Sequence, residues 1–139
     1  MAAFNYPIDH YSRHVQWGGA VGDADVILFG PDYSGTAFVL TLAAAPGSAA
    51  LKTLTNAAAG AEGVSATFEN PFTHPVTGEV GSATIIRPQI NEATFEGLAW
   101  GADVTAPLEL YYDLLMTPVS APQRAVCFGT FTLHPGIGD

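Results

Sequence analysis

Short runs of alternating apolar and polar residues, separated by turn-forming clusters, recur along this chain. Thr36-Ala37-Phe38-Val39-Leu40-Thr41-Leu42 sets Phe38, Leu40 and Leu42 against Ala37, Val39 and Thr41. A period of two puts each set on one face of a strand, and the Phe/Leu set is predicted to face the core. Residues 108–114 alternate as cleanly, with Leu110, Tyr112 and Leu114 on one face and Glu109, Tyr111 and Asp113 on the other. Alternation alone does not choose which of those two faces lies inward. Further strands are predicted over 15–17, 25–29, 51–55, 83–87 (stopped at Pro88) and 124–132 (bulged at Gly129), with Val64, Ala66 and Phe68 marking another.

Between these runs lie Gly18-Gly19, Gly30-Pro31-Asp32, Pro46-Gly47-Ser48, Asn70-Pro71, Thr77-Gly78 and Pro135-Gly136. Turns at such short spacing favour an all-β sandwich or barrel over alternating strands and helices. Residues 48–59 are rich in Ala and Leu and also suit a helix, but a strand is preferred because a Pro-Gly hairpin follows a clear strand directly. Asn91, the acidic Glu92 and Glu96, and Gly97 mark one short helix near 91–97. Residues 70–80 hold too many turn formers for a central strand and are read as a long loop. The first 17 residues read as an arm or edge strand, and 18–139 as the sandwich. The expected core includes Phe38, Leu40, Leu42, Phe68, Ile86, Leu110, Tyr112, Val126 and Phe128.

Charge narrows the function. Of 139 residues, 4 are basic and 13 acidic, a net charge of -9. Charged residues make up 12%, against about 25% in ordinary soluble domains. Two compatible causes are a genome biased towards Ala and Gly, and a surface covered by other chains. Nucleic acid is excluded as a partner, because phosphate binding needs clustered cations, and Arg13, Lys52, Arg87 and Arg124 are scattered. No apolar run approaches the roughly 18–20 residues of a membrane span, and the start lacks the basic end and apolar stretch of a secretory signal. Neither membrane insertion nor signal-directed secretion is expected.

The search for chemistry returns little. Cys127 is the only cysteine, so an internal disulfide is impossible, and its apolar setting reads as a buried strand. His10 and His14 have a metal-ligand spacing only on a helix, which Pro7 opposes. Asp23 and Asp25 fall short of the six or so oxygens that calcium takes. Ser34 lacks the preceding glycine of a nucleophile elbow. No catalytic residue, cofactor or metal is expected, and the chain is read as not being an enzyme.

A longer pattern is more informative. A strand leads through Pro31-Asp32-Tyr33-Ser34-Gly35 into Thr36–Leu40, a Pro-Gly hairpin and a Leu-rich return follow, then a helix-like piece at 95–98, Leu110-Tyr111-Tyr112-Asp113-Leu114, and Phe128-Gly129-Thr130-Phe131-Thr132-Leu133. This resembles the small immunoglobulin-like β-sandwich of tailed-bacteriophage baseplate and tail-fibre adaptors, and is similar to the N-terminal domain of baseplate upper proteins. The shared elements are an Asp-x-Ser/Thr-Gly turn before an apolar strand, a Tyr-x-Asp-Leu strand and a Gly-centred closing strand.

The resemblance implies an immunoglobulin-like antiparallel β-sandwich and a structural virion subunit, assembled in the bacterial host cytoplasm. A tail, baseplate or collar adaptor joining virion proteins or fibres would fit, as would a capsid-surface decoration protein. Its partners would be other virion proteins and copies of itself. The competing reading is a carbohydrate- or ligand-binding module with Trp17, Trp100, Tyr11 or Tyr33 as a stacking platform. Phe4, Tyr6, Tyr11, Trp17, Phe72 and His74 are the expected protein-contact residues, and of these Phe4, Tyr6, Tyr11 and Phe72 are large groups in segments without a strand pattern to bury them.

Overall fold

The inward set of β5 (Ala37–Ala43) is the predicted one: Phe38, Leu40 and Leu42 are each 1% exposed, while Val39, Thr41 and Ala43 turn outward. The computed structural model describes residues 4–5, 7–12, 16–19, 24–98 and 106–134. On β9 (Leu108–Thr117) it resolves the open choice of face. Leu110, Tyr112, Leu114 and Met116 are buried, which leaves Tyr111 and Asp113 on the outside.

The remaining strands are β1 (Phe4–Asn5), β2 (Ile8–Ser12), β3 (Trp17–Gly18), β4 (Val26–Phe29), β6 (Ala50–Leu54), β7 (Gly63–Thr73), β8 (Val80–Ile90) and β10 (Arg124–His134), with one helix, α1 (Glu92–Glu96). Sheet A runs β1-β10-β9-β5-β6, with β2 also paired to β10. In sheet B the central strand is β8. Because β7 pairs with residues 80–89 of β8 and β4 with 83–86, those two strands flank it on opposite edges. β3 continues the β4 edge at Gln89 and Ile90. The chain passes from β4 in sheet B to the β5–β6 hairpin of sheet A, returns for the β7–β8 hairpin, then crosses through α1 to β9 and β10. This is the immunoglobulin strand order, with the two sheets closing over one core.

Aromatic rings fill the middle of that core. Phe131, fully buried on β10, has Trp17, Phe95 and Tyr112 around it at centroid distances of 5.2, 5.6 and 6.0 Å. The helix is anchored from outside itself: Glu62 Oε2 accepts the Asn91 N–H at 2.8 Å and also the Thr94 hydroxyl. Asn91 occupies the N-cap position, but its side chain makes no capping bond. Gly97 ends the helix in a right-handed conformation, not the left-handed one its identity suggested.

Both sheets are antiparallel in their main ladders, and the arm joins β10 in parallel through β1 and β2. Four expectations need correction. Pro88 does not stop β8. Its carbonyl accepts the Gly19 N–H, so its missing donor faces the edge where β3 hands over to β4, and no ladder bond is lost there. The 70–80 loop is largely strand: β7 runs to Thr73, a register shift between Glu69 and Phe72 absorbs the cis Asn70-Pro71, and only 74–79 turn. An edge strand tolerates that proline. The bulge of β10 lies between Ala125 and Cys127, not at Gly129. It buries Val126 and Cys127 in succession and reverses the phase beyond, so Phe128 points outward and is 43% exposed while Phe131 and Leu133 point in. Phe68 shares the inner face of β7 with Val64 but stays half-buried on that edge strand.

Cys127 is 3% exposed, and burial, with Asp113 adding to it, pushes its thiol up to about 11. Thiolate is the reactive form. Native protein at pH 8 is therefore expected to leave a chromogenic disulfide reagent unreacted for hours, with one thiol appearing on adding urea. Rapid stoichiometric reaction of the native protein would show that the β10 bulge is placed wrongly.

Candidate functional site

An outward sheet face normally meets water and is polar. The outer face of sheet B carries a cluster of apolar side chains among its polar ones. Ile27 of β4 pairs with Ile85 of β8, which pairs with Thr67 of β7; one row further, Phe29 pairs with Ala83, and Ala83 with Glu69. Ile85 is 5% exposed yet lies outside the cluster between the sheets. Together with Phe72, His74 and Val76 it lines a cleft of about 610 Å³.

The register shift at Asn70-Pro71 brings Phe72 opposite Gly81, on this same outer face. Phe72 lies 6.1 Å from Phe29 between ring centroids, and His74 stacks on Phe29 at 6.4 Å. The imidazole is fixed by its own turn: Nδ1 accepts the N–H groups of Val76 and Thr77 at 3.1 and 3.2 Å. With Nδ1 an acceptor, the neutral ring carries its proton on Nε2. At the other end, Arg87 and Asp25 form a two-pronged pair with both N–O distances at 2.8 Å. That bond holds the guanidinium pKa above its ordinary value. The floor thus holds Ile27 and Ile85, one wall is aromatic, and at the charged end Arg87 and Asp25 pair with Glu69 nearby. Such a slot suits an apolar side chain.

A second cleft, of about 540 Å³, opens on the outer face of sheet A beside the 45–48 turn. There Thr41, Asp113 and Phe128 form one cross-strand row, and Ala43, Tyr111 and Thr130 the next.

Of the six expected contact residues, Phe72 and His74 come together in the sheet B cleft. Trp17 does not belong with them. It is 8% exposed and packs edge-on against Phe131, because pairing of β3 with β8 turns it into the core. The backbones of Phe4 and Tyr11 belong to β1 and β2, their side chains lie outside the described residues, and so does all of Tyr6. Of the arm, the described strands β1 and β2 pair with β10. Phe29 and Ile85 were missed, since nothing in a short apolar run says that both faces of its strand are covered.

The stacking platform loses its described members. Trp17 is internal, and Tyr33 carries the Arg124 guanidinium 5.2 Å above its ring; Trp100 lies outside the described residues. Asp25 is engaged by Arg87, while His14 and Asp23 lie outside the described residues, as does the His10 side chain. Among the described residues no three His, Cys, Asp or Glu side chains gather as metal ligands. Ser34 donates its hydroxyl to Asp32 at 2.6 Å, and the same oxygen accepts the Ser34 N–H, which makes the turn ahead of β5 and holds the Asp32 pKa down. The chain matches no protein-family model and no curated protein.

Proposed function

We propose that this chain is a non-catalytic structural subunit of a tailed phage or phage-like particle, an adaptor that joins neighbouring virion proteins. The observation that carries it is the set of apolar side chains that stand among polar ones on both outward sheet faces of an immunoglobulin-like sandwich. Ile27, Phe29, Ile85 and Phe72 stand on one face, and Val39, Leu115 and Phe128 on the other. An adaptor needs two such faces, and apolar area left in water costs about 25 cal/mol per Å². The Asp-x-Ser-Gly turn and the Tyr-x-Asp-Leu strand, which carry the resemblance to baseplate adaptors, occupy the entry to β5 and the middle of β9. The sheet B cleft, with its ion pair neutralised, is the face suited to copies of the same chain.

Mass spectrometry of gradient-purified particles from the encoding bacterium tests this reading. The chain is expected in intact particles at a fixed copy number relative to the major tail and capsid proteins. Its absence from particles that are otherwise complete would end the proposal. Specific binding on a glycan array would move the assignment to a sugar-binding module.

A further inference from the structure

The sheet A cleft contains a carboxylate in an unusual position. Asp113 sits in the middle of β9 between Thr41 on β5 and Phe128 on β10. Its Oδ1 is shut off from solvent and accepts no hydrogen bond. Burial alone raises its pKa above the ordinary carboxylate value. A buried acceptor without a partner is destabilising, and more so when charged. The fold does not need an acid there, since the positions beside it in the same row are Thr and Phe.

We propose that the sheet A cleft is a docking site for a different protein, which places a lysine or arginine on Asp113 within an apolar segment that covers Phe128 and Tyr111. Charge selects the occupant. The chain carries -9, with Glu109 at 3.4 Å from the Tyr111 hydroxyl adding a second acid on the same face. A second copy is a poor source of the cation. Among the described residues Arg87 is locked to Asp25, Lys52 lies 4.0 Å from Glu62, and Arg124 covers Tyr33. A cation delivered into this cleft supplies the missing donor, and its attraction is strengthened by the desolvation that now penalises Asp113. The inference adds a partner chemistry to the adaptor reading but does not require a virion.

Titrating the full-length, ¹⁵N-labelled chain with 2-phenylethylammonium and, separately, with neutral 2-phenylethanol tests it. The cation is expected to shift amides of residues 111–113 and 128–130 and to bind at least tenfold more tightly than the alcohol. Asp113→Asn, isosteric and on an outer face, should retain a dispersed spectrum and lose that preference. Phe72→Ala, on the opposite sheet, should keep it. Equal binding of the two probes, an unchanged preference in Asp113→Asn, or shifts confined to sheet B would overturn the proposal. So would concentration-dependent shifts of the sheet A amides without any probe, which would assign the face to a second copy. Cation binding by a chain that is absent from particles would remove the virion reading and leave this site standing.

Discussion

Replacing Phe131 with alanine is expected to cost about 3–5 kcal/mol, the range for emptying a buried phenylalanine site. The side chain is fully buried, and it is the ring that Trp17, Phe95 and Tyr112 share. Each aromatic pair adds roughly 0.5–1.5 kcal/mol beyond the area buried. Domains of this size are stable by about 5–15 kcal/mol, so the variant should stand near the edge of folding. At a urea slope of about 2 kcal/mol/M the midpoint should fall by about 2 M. Phe128→Ala is the control. It lies three residues away on the same strand, but on the outer face at 43% exposure. Away from a packed core, substitutions usually stay within about 0.5 kcal/mol. Comparable losses from the two variants would mean that the bulge at Ala125–Cys127 does not set the phase of β10.

That pair of phenylalanines shows what the sequence could and could not disclose. Where period two is unbroken, as on β5 and β9, the inward set was legible in full or narrowed to two faces. On β10 one extra residue at the bulge reverses the phase, and no residue type announces it. Gly129, the apparent marker, pairs regularly with Tyr112. Pro88 and Pro71 misled for the opposite reason: a proline's cost depends on which edge its missing N–H faces, a property of the neighbouring strand. Polar side chains that complete the backbone were also invisible. Asn56 accepts the Phe38 N–H at 2.6 Å and donates to the Thr36 carbonyl at 2.8 Å, taking a neighbouring strand's part where β5 begins. Glu62 does similar work for α1 across 29 residues of sequence.

The candidate surfaces divide along the same line. Phe72 and His74 were legible as large groups in a segment without strand alternation. Their partner Phe29 was not, because a run of Val-Ile-Leu-Phe reads as core throughout. It takes the register of β4 on β8 to show that Ile27 and Phe29 face away from the core that holds Leu28. Asp113 was placed on the correct strand with both faces open, and only the burial of Tyr112 turned it outward. The low charge fraction was the one global sign that such faces exist.

The second large effect is expected from Gly18→Ala. Gly18 has φ +73, and a methyl group built on it would come within 2.0 Å of the Pro88 carbonyl oxygen. The torsion alone costs about 1–2 kcal/mol for a residue with a Cβ. The clash is with backbone, so it is relieved only by moving β3 off β8. That movement breaks the Gly19 N–H bond to Pro88, 3.1 Å long, and withdraws Trp17 from Phe131. Together these should amount to at least about 3 kcal/mol, the range of a lost core contact added to a strained residue. Gly47→Ala separates the two contributions, because Gly47 has φ +80 with nothing within 4 Å of its would-be methyl group. It should lose the torsional part alone, about 1–2 kcal/mol. Urea midpoints and the near-ultraviolet circular dichroism of both variants measure this directly. Gly18→Ala should lose aromatic signal as well as stability, and Gly47→Ala should keep its signal. If the two variants lose equal stability with intact aromatic spectra, β3 does not approach Pro88 as closely as described, and Trp17 is held in the core by some other contact.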